Sequence, residues 1–148
     1  YYTVAVPEID EQHEQLFNKM THFIEMVRKG TARKELVSLL DFLEEYSKKH
    51  FDTEESAMTQ YQCPTADQNH SEHKIFIRKL VEFRNELSSQ GPSQDLAGRI
   101  HKELYLWFIG HIARIDKALC KVVDKKTDQS IASCNKKERV IKKKPRLS

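Results

Sequence analysis

Five side chains of metal-binding type, His13, His50, Glu54, His73 and His111, stand where helical spacing calls for apolar residues. A buried imidazole or carboxylate left without a partner costs about 1–3 kcal/mol. Several together would threaten a domain whose net stability is only about 5–15 kcal/mol. A shared metal centre satisfies them all at once. His50 and Glu54 are four residues apart, one helical turn, so both reach the same interior. Imidazole nitrogen with carboxylate oxygen suits iron, zinc or manganese, and no cysteine joins the stripe. Asp116 adds a second carboxylate, and two carboxylates are able to bridge a pair of iron ions. Its position is awkward, however, because five residues beyond His111 is about 140° round a regular helix. A π-type turn between them is therefore predicted, a distortion common at functional sites. His22 and His101 fall off the ligand-bearing positions and are read as structural or surface residues.

Four segments must carry these groups. The first runs from about Ile9 to Val27, with His13 among Leu16, Phe17, Met20, Phe23 and Ile24, and stops at Gly30. The second carries Leu36, Leu39, Leu40, Leu43 and Tyr46, then turns polar at His50 and Glu54 before Met58, Tyr61 and Pro64. Thr65 and Gln68 have the spacing of a capping box for the third, whose stripe is His73, Phe76, Ile77, Leu80, Phe83 and Leu87. The fourth begins near Gln94 and carries Leu96, Ile100, Leu104, Trp107, Phe108, His111, Ile115 and Leu119, its pattern weakening beyond about Val123. Phe17, Phe51, Phe76, Trp107 and Phe108 are expected in the core, walling the metal pocket.

The whole composition agrees. Only 4 Gly and 4 Pro in 148 residues, with 32% charged residues, favour long helices over turn-rich sheets. Short connections between long amphipathic segments predict an all-α, up-down-up-down antiparallel four-helix bundle. The expected division is one domain over residues 1–120 and a basic tail or linker over 121–148, which holds ten Lys/Arg against three Asp/Glu. The run Lys142 to Arg146 suggests a solvated tail rather than a nucleic-acid or membrane-surface arm. Cys63, Cys120 and Cys134 are odd in number, widely spaced and lack a CxxC pair, so neither a disulfide framework nor a zinc knuckle is indicated, and a reducing, cytoplasmic setting fits best. No apolar run reaches the roughly 20 residues of a membrane span. The opening Tyr1 suits a piece of a longer chain.

Four motifs together resemble the bacterial branch of the hemerythrin family: Ile9-Asp10-Glu11-Gln12-His13-Glu14-Gln15-Leu16-Phe17, His50-Phe51-Asp52-Thr53-Glu54-Glu55, Glu72-His73-Lys74-Ile75-Phe76, and Trp107 through Lys117 with His111 and Asp116. The resemblance spans residues 4 to about 120. It implies two non-heme iron ions, one on His13 and His50, the other on His73 and His111, bridged by Glu54, Asp116 and an oxo or hydroxo group. It further implies reversible reaction with dioxygen and no substrate turnover. One departure matters. The family's third helix bears two histidines four apart, and here the partner of His73 at that spacing is Asn69, with His70 one residue later. The expected consequence is an iron with two histidines and an extra exchangeable site open to water, small anions or dioxygen. The alternative is that His70, three residues before His73 and near the same face, takes the ligand position after a small rotation of the helix.

Three functions compete. An oxygen-binding module, either a free carrier or the input of a sensor with an output domain elsewhere, is favoured. A di-iron oxidase, peroxidase or nitric-oxide-handling enzyme is the alternative, since similar centres on helical bundles do oxidation chemistry. A metal-free interaction bundle is disfavoured by the cost of its interior histidines.

Overall fold

The structure is a computed structural model that describes residues 4–142, with side chains described through residue 129. Helix α1 covers Pro7–Lys29, α2 Leu36–Gln60 and α3 Ala66–Gln90. Helix α4 is one continuous run of three α-helical stretches, Gln94–Ile100, Leu106–His111 and Lys117–Lys142, joined by π turns at His101–Tyr105 and Ile112–Asp116. A 3-10 turn, Ala32–Glu35, leads into α2. No strand occurs among the described residues.

Local chemistry sets the helix ends. Pro7 starts α1, where its missing N–H is no loss. Gly30 ends it at φ 73, a left-handed conformation that a side chain would strain, and Thr31 N–H reaches back to the Met26 carbonyl at 3.0 Å. Ser93 caps α4, its Oγ accepting from Leu96 N–H at 3.0 Å. The expected Thr65–Gln68 capping box does not form. Thr65 lies at φ −94, ψ 10 rather than in the extended region a cap requires; its hydroxyl meets Cys63 Sγ instead, and Gln68 turns to Glu72.

Every neighbouring pair of helices is antiparallel. Gln12 meets Thr53 while Lys19 lies over Phe42, and Glu55 meets His70 while Arg84 meets Asp41 and Glu44. Glu72 meets His111 while Glu86 meets Arg99, and Gln94 bonds the Val27 carbonyl while Asp116 faces His13. The up-down-up-down bundle is thus observed directly.

The interior has three layers. A large apolar layer, including Leu16, Met20, Leu40, Leu43, Phe76 and Phe108, fills one end, and a smaller one, including Ile9, Met58, Ile115 and Leu119, fills the other. Each fully buried Leu or Phe contributes about 1.5–3 kcal/mol through apolar transfer. Between the two apolar layers, every helix contributes polar side chains. No helix among the described residues is long and apolar enough to cross a membrane. Cys63 and Cys120 are free thiols, and the side chains of Cys134 and the Lys142–Arg146 run lie outside the described residues.

Candidate metal centre

The polar layer holds all six candidate ligands. His50, Glu54, His111 and Asp116 are 0% exposed, His13 2% and His73 3%, so none of them is satisfied by bulk water. The π turn at Ile112–Asp116 brings Asp116 inward, with its Oδ1 3.0 Å from Nε2 of His111. An uninterrupted α-helix would send the two side chains to different faces. The second π turn, His101–Tyr105, was not anticipated. Its sequence signal is the strict four-residue recurrence of Leu96, Ile100, Leu104, Phe108, Ile112 and Asp116, all buried. On a 3.6-residue helix that recurrence drifts by about 40° per step, and wider turns cancel the drift.

Two clusters form and share a residue. His13, His50, Glu54 and Asp116 make one, and Glu54, His73 and His111 the other, ligand atoms within each lying within 4.8 Å of one another. Glu54 spans both, with Oε2 3.1 Å from His50 Nε2 and Oε1 3.3 Å from His73 Nε2. Asp116 does the same, with Oδ2 3.3 Å from His13 Nε2 and Oδ1 turned to His111. These atoms crowd without satisfying one another. Both oxygens of Glu54, both of Asp116, and Nε2 of His13 and His50 are buried without a hydrogen-bond partner among the described residues, because the contacts have the distance of hydrogen bonds and not their direction. Ligands about 2.1 Å from an octahedral cation sit about 3.0 Å from each other along an edge. The donor set and its spacing therefore fit a divalent metal.

Outer groups aim three of the four rings. Nδ1 of His50 meets Oε1 of Gln12, Nδ1 of His73 meets Oε1 of Glu55, and Nδ1 of His111 meets Oε2 of Glu72, at 2.8, 2.8 and 2.6 Å. An acceptor at Nδ1 fixes the proton there and leaves the Nε2 lone pair facing inward. The arrangement runs round the bundle: α1 orients the histidine of α2, α2 that of α3, and α3 that of α4. Nδ1 of His13 has no partner among the described residues, so the circuit stays open at α1. Sequence reasoning missed these three residues. Each adjoins a ligand, Gln12 beside His13, Glu55 beside Glu54 and Glu72 beside His73, and that adjacency was the available signal.

Charge and burial act against each other here. Burial alone would raise the Glu54 carboxyl, but the imidazoles of His111, His50 and His73 crowded against it hold it well below the usual carboxylate range. Burial likewise opposes charge on His111, and the Asp116 and Glu54 carboxylates outweigh it, pushing the ring up to about 10. Burial, reinforced by Glu54 and Asp116, raises the Tyr46 phenol, keeping it neutral as it donates to the Gln12 carbonyl at 2.6 Å. The site thus demands positive charge, which a metal supplies directly.

Aromatic rings close the layer. Phe51 stacks on His73 with centroids 3.7 Å apart, and Trp107 stacks on His111 at 4.6 Å. Phe51, Phe76 and Phe108 are buried as expected, while Phe17 and Trp107 are half-buried. His22 is exposed and His101 half-buried, both away from the clusters. Asn69 lies inside at 0% exposure, whereas His70 is 53% exposed and pairs with Glu55 at the surface.

The model of the hemerythrin HHE cation binding domain matches residues 4–123. The chain belongs to the hemerythrin family. Curated relatives agree at greater distance. A bacteriohemerythrin of Stenotrophomonas maltophilia (strain R551-3) is 23% identical over 115 residues, covering 78% of this chain and 72% of the relative. A bacteriohemerythrin of Pseudomonas aeruginosa (strain LESB58) is 23% identical over 112 residues, covering 76% and 71%. No solved structure matches the chain significantly. The hemerythrin match and the polar layer coincide: every residue of the two clusters lies within the matched residues 4–123.

Proposed function

We propose that this hemerythrin domain binds two iron ions, one at each cluster, and takes up dioxygen reversibly as a sensing input rather than turning over a substrate. The supporting observation is that Glu54 and Asp116 each direct one oxygen to each cluster. Paired metal sites have ions about 3.5–4 Å apart, a separation that a bridging carboxylate spans. His13 and His50 hold one ion, His73 and His111 the other. When bound, such a pair supplies two electrons to dioxygen.

The chain's own part is binding, orientation and exclusion. Gln12, Glu55 and Glu72 keep three imidazoles aimed inward, and the two apolar layers keep bulk water from the ions. A sensing role is favoured by Asn69, because an amide is a weaker donor to iron than the imidazole expected there, leaving the oxygenated form shorter-lived and open to small anions. The signalling output and a cytoplasmic setting belong to the same proposal.

Anaerobic reconstitution tests it. Two irons per chain, with an optical change that appears on adding oxygen and reverses on removing it, is the expected result. Iron absent at stoichiometric level would overturn the reading, and steady consumption of a reductant with oxygen would replace it with a di-iron oxidase. A long-lived oxygenated form, matched by Asn69→His, would count for storage against sensing.

A further inference from the structure

We propose that the side-chain oxygen of Asn69 is itself a metal ligand, a seventh protein donor serving the position flanked by His73 and His111. The inference rests on the di-iron reading above. Asn69 precedes His73 by four residues on α3, on the same face and one turn away. It is fully buried, and its Oδ1 lies 2.9 Å from Nε2 of His111. Nε2 of His73 approaches the same His111 nitrogen at 3.2 Å.

The proton inventory decides what that oxygen can bond to. Both rings give their Nδ1 protons to carboxylates, His73 to Glu55 and His111 to Glu72. Neutral rings so held have bare Nε2 lone pairs, and the amide oxygen is also an acceptor. With both rings bound to a metal through those lone pairs, three acceptors would meet at 2.9–3.2 Å. A proton on His111 Nε2 relieves this only while no metal is there, because coordination uses the same lone pair. Once His111 binds a metal it has nothing to donate to Asn69. The buried carbonyl would then be orphaned, and an orphaned buried acceptor is costly. The cation that removed its donor is the group positioned to replace it. An amide oxygen is a hard, neutral ligand, weaker than imidazole toward iron. The amide nitrogen, buried without a partner among the described residues, is left free to donate to an anion arriving beside it.

The test is metal titration of the full chain. Metal-free protein is loaded anaerobically with Fe(II) in competition with a chromophoric chelator, and the two binding steps are read separately. Asn69→Leu, close in shape and lacking the oxygen, is expected to weaken one equivalent about 10–100-fold and leave the other unchanged. Asn69→Asp, which puts a charged oxygen at the same place, is expected to bind one equivalent more tightly than wild type. Both equivalents bound by Asn69→Leu with wild-type affinity would overturn the proposal. Should Asn69→Leu lose its helical circular dichroism, Asn69→Asp decides alone: a gain in affinity for one equivalent supports the ligand, and no change overturns it. Failure of wild-type protein to take two irons would instead sink the di-iron reading, a result visible before any variant is made.

Discussion

Glu55 on α2 accepts a 2.8 Å hydrogen bond from Nδ1 of His73 on α3, while its neighbour Glu54 approaches Nε2 of the same ring at 3.3 Å. Two consecutive residues, about 100° apart round their helix, thus address opposite edges of one imidazole. Truncating Glu55 to Ala is expected to lower metal affinity about 10–100-fold, with helical content unchanged. Glu55→Gln, which keeps an acceptor, recovers most of it. Chelator competition measures both, and wild-type affinity in Glu55→Ala would show that stacking on Phe51 suffices to fix the ring.

Asp116 separates the requirement for a carboxylate from the requirement for a wide turn. Asp116→Ala is expected to abolish stoichiometric iron and keep the bundle folded. Deleting exposed Ala113 sets Asp116 four residues beyond His111, so an ordinary α turn replaces the π turn and Ile115, Leu119 and Val123 are expected to keep facing the second apolar layer, with stability near wild type. Iron analysis and thermal melts check the pair, and a large drop in melting temperature on deleting Ala113 would contradict the account.

Trp107 is the chain's single tryptophan, and its ring lies parallel to His111 at 4.6 Å, with 10° between the planes. Iron binding should therefore quench its fluorescence in step with metal uptake. An emission spectrum indifferent to iron would argue against occupation of the His73–His111 position.

His70 faces outward at 53% exposure, so His70→Ala is expected to leave iron stoichiometry at the wild-type value. Its partner Glu55 loses only a surface contact, worth about 0–1 kcal/mol. A drop to one iron in this variant would mean that α3 rotates to use His70 as a ligand.

Phe76 is 0% exposed and packs on Phe51, Trp107 and Phe108, beneath the rings that wall the site. Phe76→Ala should cost about 3–5 kcal/mol through lost burial and a residual cavity. Denaturant unfolding of the metal-free protein measures this without interference from metal binding. A loss under about 1 kcal/mol would imply that the neighbouring rings collapse into the space.

Helical period and residue chemistry by themselves determined four amphipathic helices, their antiparallel order, and the interior placement of His13, His50, Glu54, His73 and His111. They do so because the apolar stripe continues on both sides of each polar intrusion, and a group on that stripe has nowhere else to go. Even the π turn at Asp116 was legible, since a fifth-residue carboxylate cannot share His111's face on a regular helix. The failures were of other kinds. The Thr65–Gln68 pattern named a cap that the φ and ψ of Thr65 exclude, because a pattern of residue types does not fix backbone conformation.

Only the tertiary structure decided which residues aim the rings, because Gln12, Glu55 and Glu72 each serve a histidine on the next helix, and contacts between helices depend on rotation and rise that no single stripe encodes. The same packing decided that Asn69 turns its oxygen to His111 while His70 faces solvent. One residue of offset is about 100° of direction round a helix, and it is the neighbouring helices that give each direction its chemistry.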